Sequence, residues 1–510
     1  MVGNGGAMKV LLISPPIMDD FAGEAKPIAM DAVRECPAYG MYLLQAVLKE
    51  SGHDAALVDL ISDGSDRIDD YLPQVAEAGL VGIGATSMSW PTALSVILQV
   101  RAVRPEVPIV LGGIHPTMFD GYLLRTFPVQ YVVRGEGERA IVELADAIEH
   151  GGDVAGVANL SWMDKGELVR NPVARQLSPE ELGAAPLPDY SQLRPGLFQG
   201  LSIESSRGCA FDCSFCSTSY RRSYRGLEPE VFVDRLEALS AYTDRTRTGF
   251  VHIIDDEFSM NPRRAIQIAE SIRRRGMTPS LVYDSRATDL LFPGYVESIA
   301  EFTGQFLVGA ECGYDEGLEK IGKGTTTDIL ERAAQKLVEH GIADRADFSF
   351  ILGLPWETVT EVRRTIAFAA KLYASYGVRL LLQWYCQIPG SRLWQEQRDR
   401  LDVSEVMYDE FGFFRNLYLF RSGVHLSPEE IWDVSREVRA LVYLSRARNP
   451  ERLMIEYGHP EPISLYFPED LIRRTSHALP NLRIVAHARD RNTGNRRADV
   501  ARRPLRHLPA

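Results

Sequence analysis

The sequence predicts an α/β protein with two parallel-sheet domains and a small, mainly helical domain after them. Short apolar runs alternate with amphipathic segments over residues 9–152, and a second such series spans residues 201–395. This alternation is typical of parallel strands joined by helices that cover both faces of a sheet. Composition agrees, because 45% of the 510 residues are hydrophobic and 25% are charged, as in globular proteins.

The first series, residues 9–152, predicts a doubly wound parallel sheet of Rossmann-like architecture. Small and polar residues follow its strands: Ser14-Pro15, Ser87-Met88, Gly112-Gly113 and Gly135-Glu136. Ligands bind at the carboxyl ends of strands in such sheets, so this edge is the predicted site. Between the last two of these segments we expect only a short linker.

A dinucleotide cofactor is not expected in this domain. Its phosphate site requires G-x-G-x-x-G opening a helix after the first strand, where this sequence reads SPPIMDDF. The best match, Gly82-x-Gly84-x-x-Ser87, lacks the third glycine. The small residues of the edge instead leave room for some other bulky nucleotide.

Residues 153–200 are predicted to form a linker that contains a hairpin, turned at Asp164-Lys165-Gly166, and a proline-rich stretch. Six strand–helix repeats then fill residues 201–395 and predict a partial (β/α)6 barrel, whose working face lies at the carboxyl ends of its strands. Asn261 before Pro262 is predicted to begin one of its helices.

The C-terminal part is predicted to be helical over residues 396–484 and a basic disordered tail over residues 485–510. Aromatic residues of the helical part pack its own core or form the roof of a site: Tyr408, Phe411, Phe413, Phe414, Tyr418, Phe420 and Trp432. Both alternatives are open, because aromatic side chains fill cores and also line ligand sites.

Charge and cysteine content restrict the class of protein. A net charge of −13 argues against nucleic acid as a partner, since a polyanion is repelled. No apolar run reaches the roughly 18–20 residues of a membrane span, and the first residues lack the pattern of a signal peptide. The 6 cysteines are too few for a disulfide scaffold of this length. A cytoplasmic location is therefore predicted.

Cys209, Cys213 and Cys216 follow directly after the first strand of the barrel series. Their close spacing allows one short loop to wrap around a cuboidal iron–sulfur cluster, with each thiolate on a different iron. A structural zinc site needs a fourth ligand, which the neighbouring sequence does not supply at the usual spacing. Three ligands on a four-iron cluster leave one iron open for a substrate or cofactor.

The string Arg207-Gly208-Cys209-x3-Cys213-x-Phe215-Cys216 resembles the cluster motif of the radical S-adenosylmethionine enzymes, which share the partial (β/α)6 barrel. The resemblance implies a [4Fe-4S] cluster held by the three cysteines and a bound S-adenosylmethionine. It also implies contacts to S-adenosylmethionine from matching positions: Phe215, Asp255, Arg286, Glu311 and Gly353. From the residues alone, Asp255 is equally suited to cap the next helix and Arg286 to form an ion pair. The alternative for Glu311 is to face solvent, but its neighbours in VGAECG are apolar and small, and an unpaired buried carboxylate would be costly, which favours the ligand contact.

The strand ends of residues 9–150 (ISPP, GATSMS, GGIHPT, RGEGE) resemble the cobalamin-binding domain of the cobalamin-dependent branch of these enzymes. Contacts to cobalamin are implied at these positions: Ser14, Pro15, Ser87, Met88, Gly112, Gly113, His115, Gly135 and Glu136. The sequence departs from the methionine-synthase type, because it has no Asp-x-His-x-x-Gly after the first strand and so no histidine ligand for cobalt. His115 either contacts the corrin or caps its loop.

This resemblance implies a methyltransferase. The methyl group would pass from methylcobalamin to an unactivated carbon of a small-molecule or natural-product substrate, after hydrogen abstraction by the 5′-deoxyadenosyl radical. An external flavodoxin- or ferredoxin-like protein would supply electrons. The alternatives are a cyclase or ring-rearranging enzyme with the same cofactors, and a non-catalytic sensor of cobalamin or S-adenosylmethionine. The intact cysteine trio argues against the sensor.

Overall fold

The computed structural model describes residues 8–21, 24–27, 36–218, 220–386, 388–399, 405–409 and 424–446. The predicted tail lies outside these residues, as do five of the seven aromatic residues of the predicted helical region and the side chain of Trp432. The two alternating series form two parallel sheets, which confirms the predicted fold class.

The N-terminal domain is a seven-stranded sheet in the described part of the chain, with the order β4-β1-β5-β6-β7-β8-β9. A separate short hairpin, β2–β3, follows β1. The strands are β1 Lys9–Ser14, β2 Met18–Phe21, β3 Glu24–Pro27, β4 Asp54–Asp59, β5 Leu80–Gly84, β6 Ile109–Gly112, β7 Tyr131–Val133, β8 Leu160–Asp164 and β9 Glu167–Arg170. The helices are α1 Tyr39–Glu50, α2 Leu60–Asp63, α3 Leu72–Glu77, α4 Trp90–Val103, α5 Ile114–Thr126 and α6 Glu138–Glu149.

Strands β4, β1, β5, β6 and β7 are all parallel, in the predicted doubly wound arrangement. Strands β1 (KVLLIS) and β5 (LVGIG) are buried along nearly their whole length, so side chains on both faces of the sheet are covered. Helices on both faces produce this pattern. Because β4 lies on one side of β1 and β5 on the other, the winding direction changes between β1 and β5. The carboxyl edge beside this change is where ligands bind in open α/β sheets.

The segment predicted as a short linker after β6 is instead helix α5. The prediction failed because Pro116 and Gly121 interrupt the sequence pattern of a helix. The backbone accommodates them with a kink at Phe119, where φ is −122° and ψ is 21°. This helix matters for the site, because it begins at the carboxyl end of β6.

The predicted hairpin forms, and it extends the N-terminal sheet rather than standing in a linker. Strand β8 pairs antiparallel with β7, and the turn at Lys165 and Gly166 has the positive φ values, 48° and 89°, of a tight hairpin. Asp120 of α5 secures it, because the buried carboxylate accepts hydrogen bonds from Arg170 at 2.7 and 2.8 Å. This sheet therefore extends beyond residue 152.

The barrel strands follow one another in chain order, β10-β13-β14-β15-β16-β17, and all pair in parallel. Strands β10 and β17 are the two edges, so the barrel is partial, as predicted. The strands are β10 Gly200–Ile203, β11 Ser206–Arg207, β12 Arg225–Gly226, β13 Phe250–Ile253, β14 Ser280–Ser285, β15 Thr303–Glu311, β16 Ala346–Leu352 and β17 Arg379–Trp384.

Helices cover the outside of the barrel, and apolar residues of both layers form one core. The helices are α7 Pro179–Ala184, α8 Pro229–Ser240, α9 Pro262–Arg274, α10 Ala287–Leu290, α11 Tyr295–Ile299, α12 Asp315–Ile321, α13 Thr327–Glu339, α14 Val359–Tyr376, α15 Arg392–Gln397 and α16 Pro428–Arg446. Asn261 caps α9 as predicted, since its side chain accepts a hydrogen bond from the backbone N–H of Arg264.

Two described parts of the predicted helical region pack in different places. Helix α16 lies against β17 and α14 of the barrel. Tyr408 is 1% exposed and packs with Trp394 in the core of the N-terminal domain, and Asp409 accepts a hydrogen bond from the indole N–H of Trp90 at 2.7 Å. Tyr408 is therefore a core residue of the N-terminal domain, which neither alternative predicts.

Candidate active site

The cysteine loop, residues 209–216, is fixed at the carboxyl face of the barrel by backbone hydrogen bonds. The N–H of Cys209 donates to the carbonyl of Tyr220 at 3.1 Å. Ser214 is held on two sides, because its N–H donates to the carbonyl of Ile321 and its carbonyl accepts from the N–H of Leu393, each at 2.9 Å. Elements that follow β15 and β17 therefore position the loop that follows β10.

Glycine is required immediately before this loop. Gly208 has a φ of +81°, and a Cβ atom there would lie 2.0 Å from the carbonyl oxygen of Ser223. Its N–H donates to Asp256 at 3.0 Å. The glycine of the Arg-Gly-Cys sequence is thus required for a steric reason, since only glycine permits this close approach of two backbone segments.

Glu311 lies at a bulge in β15, with a φ of +62°, and forms a buried ion pair that the sequence did not reveal. Lys323 donates from Nζ to Glu311 Oε1 at 2.7 Å, and each side chain is 9% exposed. Burial alone would lower the pKa of Lys323, but the charge and hydrogen bond of Glu311 outweigh this and raise the pKa. Glu311 therefore faces the buried ammonium of Lys323 within the barrel mouth and does not face bulk solvent.

Arg286 is fixed beside the cysteine loop, and none of the described carboxylates forms an ion pair with it. Its guanidinium lies over the ring of Phe211, 3.6 Å from the centroid, and donates to the carbonyl of Lys323. Its Nε is buried without a hydrogen-bond partner among the described residues. An orphan buried donor on a cation fits an anionic group of a bound ligand, so this position suits the predicted contact to S-adenosylmethionine.

Asp255 does not cap a helix, and its side chain is buried. Its two carboxylate oxygens accept hydrogen bonds from the backbone N–H groups of Ser205 and Ser206, at 2.7 and 2.9 Å, and from both hydroxyls. Its hydrogen bonds therefore fix the segment that precedes the cysteine loop. Its contact to S-adenosylmethionine stays a prediction, as do those of Phe215 and Gly353.

Phe215 is half-buried, with Lys323 Nζ located 5.9 Å from its ring centroid. Gly353 has a φ of +76°, and its N–H donates to the buried carboxylate of Glu357 at 2.7 Å. Glu357 also accepts from the phenol of Tyr314 at 2.8 Å. The turn after β16, where the sequence predicted a ligand contact, is thus held by hydrogen bonds to Glu357.

The cobalamin residues predicted from sequence lie together at the carboxyl edge of the N-terminal sheet. Ser14 and Pro15 are buried under it, whereas Met88 is 46% exposed. A Cβ atom on Gly112 would meet nothing within 4 Å, but one on Gly113, where φ is +99°, would lie 2.6 Å from the carbonyl oxygen of Ala85. Open space beside one glycine and a tight turn at the next fit a large planar cofactor that approaches the backbone.

His115 is 1% exposed and stacks on Trp90 with a centroid separation of 4.9 Å. Its Nδ1 shares a hydrogen bond of 3.1 Å with the hydroxyl of Ser87, which ties the loop after β5 to α5. Burial lowers its pKa to about 3, so the ring is neutral. The bond to Ser87 favours the loop-capping alternative, while Nε2 is buried without a partner in the described residues.

Glu136 uses its carboxylate to join the two domains. It accepts hydrogen bonds from Arg225 at 2.6 Å, from Arg207 at 3.3 Å and from the backbone N–H of Leu177 at 2.8 Å. Arg207 and Arg225 flank the cysteine loop in the chain, and sequence analysis missed their role because such pairs span distant segments. A cobalamin contact by the Glu136 side chain would have to compete with these arginines.

The carboxyl edges of the two sheets face each other. They meet at the Glu136 ion pairs on one side and where Gly390 packs on Met118 on the other. Each edge also carries exposed apolar side chains in the segments that follow its strands: Ile17 at 39%, Met88 at 46%, Ile254 at 39% and Ile388 at 40%. Apolar surface at the working edges of two sheets is typical of a ligand-binding cleft.

Comparisons with known proteins agree with this architecture. Residues 203–369 match the Radical SAM superfamily, and residues 25–145 match the B12 binding domain. An uncharacterized methyltransferase of Pyrococcus horikoshii is 31% identical over 404 residues, which cover 76% of this chain and 83% of that protein. The anaerobic magnesium-protoporphyrin IX monomethyl ester cyclase of Rubrivivax gelatinosus is 27% identical, covering 74% of this chain and 68% of the cyclase.

The same fold occurs in the radical S-adenosylmethionine methyltransferase TsrM from Kitasatospora setae, solved with cobalamin and a [4Fe-4S] cluster bound. Its TM-score is 0.61 at 21% identity, and the match covers 78% of this chain and 75% of TsrM. The chain belongs to the family of cobalamin-binding radical S-adenosylmethionine enzymes.

Family membership confirms the predicted cofactor set of a [4Fe-4S] cluster, S-adenosylmethionine and cobalamin. It also confirms an enzyme that acts on a small-molecule substrate with the help of a reductant. Within the described residues, none of the helices has the length and apolar character needed to cross a bilayer.

Proposed function

We propose that the chain transfers a methyl group to an unactivated carbon of a small-molecule or natural-product substrate. The observation that carries the proposal is the pair of facing edges, with the cysteine loop on one and the predicted cobalamin loops on the other. Exposed apolar side chains line both edges, so an organic substrate placed there would lie between the two cofactors. The similarity to proteins named as methyltransferases supports a methyl transfer.

When bound, the cofactors would supply a radical that removes hydrogen from the substrate carbon and a methyl group that replaces it. The protein residues have other tasks. Arg286 would bind the carboxylate of S-adenosylmethionine, and the carboxyl group of Glu311 would accept hydrogen bonds from its ribose. Lys323 holds Glu311 in place, and the ion pairs of Glu136 with Arg207 and Arg225 would hold the two cofactor sites close to each other.

The experiment uses protein purified and reconstituted without oxygen in the presence of cobalamin. We expect about four irons per chain together with equimolar cobalt. With S-adenosylmethionine and titanium(III) citrate, a methyltransferase should release both S-adenosylhomocysteine and 5′-deoxyadenosine. The release of S-adenosylhomocysteine should depend on cobalamin. Replacing the three cysteines by alanine should abolish 5′-deoxyadenosine.

The same experiment tests the second candidate, a cyclase or ring-rearranging enzyme, which the similarity to the Rubrivivax cyclase favours. A cyclase transfers no methyl group to its substrate, so it should release 5′-deoxyadenosine without S-adenosylhomocysteine. Release of neither product would refute both proposals and favour the sensor.

We propose further that a flavodoxin- or ferredoxin-like donor delivers electrons at the outer face of the cysteine loop, in the cytoplasm. Three arginines surround the single carboxylate of Asp212: Arg222 at 2.8 Å, and Arg221 and Arg392 at 3.6 Å each. The patch has an excess of positive charge in a chain of net charge −13, which suits an acidic partner. Arg222→Glu should slow cluster reduction by reduced flavodoxin and leave reduction by dithionite unchanged; equal rates with flavodoxin would refute the docking site.

A further inference from the structure

A second cluster of ligating side chains lies at the opposite, amino edge of the N-terminal sheet. His53 precedes β4, and Asp146 and Glu149 end α6. His53 Nε2 lies 3.5 Å from Asp146 Oδ1, and Nδ1 lies 3.8 Å from Glu149 Oε2. One ligand atom from each residue falls within 4.8 Å of the others. None of these residues takes part in the cofactor sites.

The electrostatics of this place favour a cation. Helices α1 and α6 pack together and both end here, and a helix C-terminus carries partial negative charge. Asp146 and Glu149 add two carboxylates in the last turn of α6, which contains no basic residue. Within the described chain, His53 is the sole ion-pair partner of either carboxylate. The negative charge is therefore without a lysine or arginine to balance it.

His53 points to a metal ion rather than to a simple hydrogen bond. Its side chain is 3% exposed, and Nε2 is buried with no hydrogen-bond partner in the described residues. The 3.5 Å to Asp146 is long for a hydrogen bond. In tetrahedral coordination with bonds of about 2.0–2.1 Å, ligand atoms lie about 3.4 Å apart, which is close to this separation. Imidazole and carboxylate ligands are those that zinc accepts.

We propose that His53, Asp146 and Glu149 bind a divalent cation of the zinc type. Asp146 is 57% exposed, so water can enter and complete the coordination. The ion would join α1 to α6, whose first residue, Glu138, directly follows the loop at Gly135 and Glu136. Its role would be structural, since it lies at the far edge of the sheet from both predicted cofactor sites.

The test is equilibrium dialysis of the reconstituted holoenzyme against zinc under anaerobic conditions, with zinc and iron measured in the same samples. His150 offers a matched control, because it directly follows α6 and its ring, among the described residues, bonds the backbone carbonyl of Asp146. We expect wild type and His150→Gln to bind one zinc more than His53→Gln. The affinity of His53→Gln for zinc should be at least tenfold lower than that of wild type, because loss of even a residue that supports a ligand costs about tenfold at a metal site.

Asp146→Asn provides a second variant, because this exposed side chain can change without loss of the fold. It should also weaken zinc binding, with iron content unchanged. The iron measurement separates zinc at this site from zinc that displaces the cluster. Equal zinc uptake by wild type, His53→Gln and Asp146→Asn would overturn the proposal, whatever the enzyme's activity.

Discussion

Replacing Gly113 by alanine should disturb the edge where cobalamin is predicted to bind. Gly113 has φ +99° and ψ −175°, a conformation that side chains avoid, at a cost of about 1–3 kcal/mol. The added Cβ would also lie 2.6 Å from the carbonyl oxygen of Ala85. That carbonyl accepts the N–H of His115 at 3.3 Å, so relief of the contact would shift the β5 and β6 ends together.

The strain must appear in one of two measurable quantities. If the cobalamin-free loop relaxes, the cost falls on binding, and about 1–3 kcal/mol corresponds to a roughly 5- to 150-fold increase in the Kd for hydroxocobalamin. If the loop cannot relax, the cost falls on stability and lowers the thermal midpoint of the cobalamin-free protein. Equilibrium dialysis and a thermal melt on the same preparations measure both quantities.

Gly112 allows the effect of backbone strain to be distinguished from the effect of contact with cobalamin. A Cβ on Gly112 meets nothing within 4 Å, so Gly112→Ala should melt like wild type and weaken cobalamin binding only if cobalamin occupies that space. Gly156→Ala, also in open space but away from the edge, should change neither quantity. A Gly113→Ala protein that binds cobalamin and melts like wild type would refute this account of the loop.

Three further predictions concern the barrel. Alanine at the three motif cysteines should abolish iron binding, whereas Cys312→Ala, which removes a buried thiol outside the loop, should retain iron by elemental analysis. Lys323→Met leaves Glu311 buried and unpaired, so it should lower stability by about 3–5 kcal/mol and weaken S-adenosylmethionine binding in dialysis, while exposed Lys320→Met should do neither. Burial raises the pKa of Glu257 from 4.5 to about 8, so the folded state holds one proton more than the unfolded chain between these two pH values, and stability falls as pH rises across that interval. Glu257→Gln should flatten the pH dependence of the thermal midpoint between pH 4.5 and 8 in the metal-free protein, and an unchanged slope there would contradict the assignment.

The features predicted correctly from sequence are those encoded locally. The cysteines lie within one loop, and each barrel strand carries its own apolar run, so neither depends on knowledge of distant contacts. Helix α5 was missed because Pro116 and Gly121 weaken the local signal, although packing against the sheet stabilises the helix.

The features that escaped prediction depend on long-range pairing. Lys323 reaches Glu311 across a helix, and its string, GKG, gives no local sign of a buried ammonium. Glu136 was predicted as a cobalamin contact because it follows β7, but its carboxylate meets Arg225, which is 89 residues further along the chain. Only a carboxylate followed by glycine is visible in the sequence at that position.

The hairpin β8–β9 determines where this protein can be divided. A fragment that stops at Gly152 would leave β7 as an open edge, with its backbone N–H and carbonyl groups free to pair with another chain. It would also leave Asp120 buried without Arg170. An N-terminal fragment meant to fold alone, or one to be exchanged with a relative's, should therefore continue past Arg170, and the shorter one should aggregate.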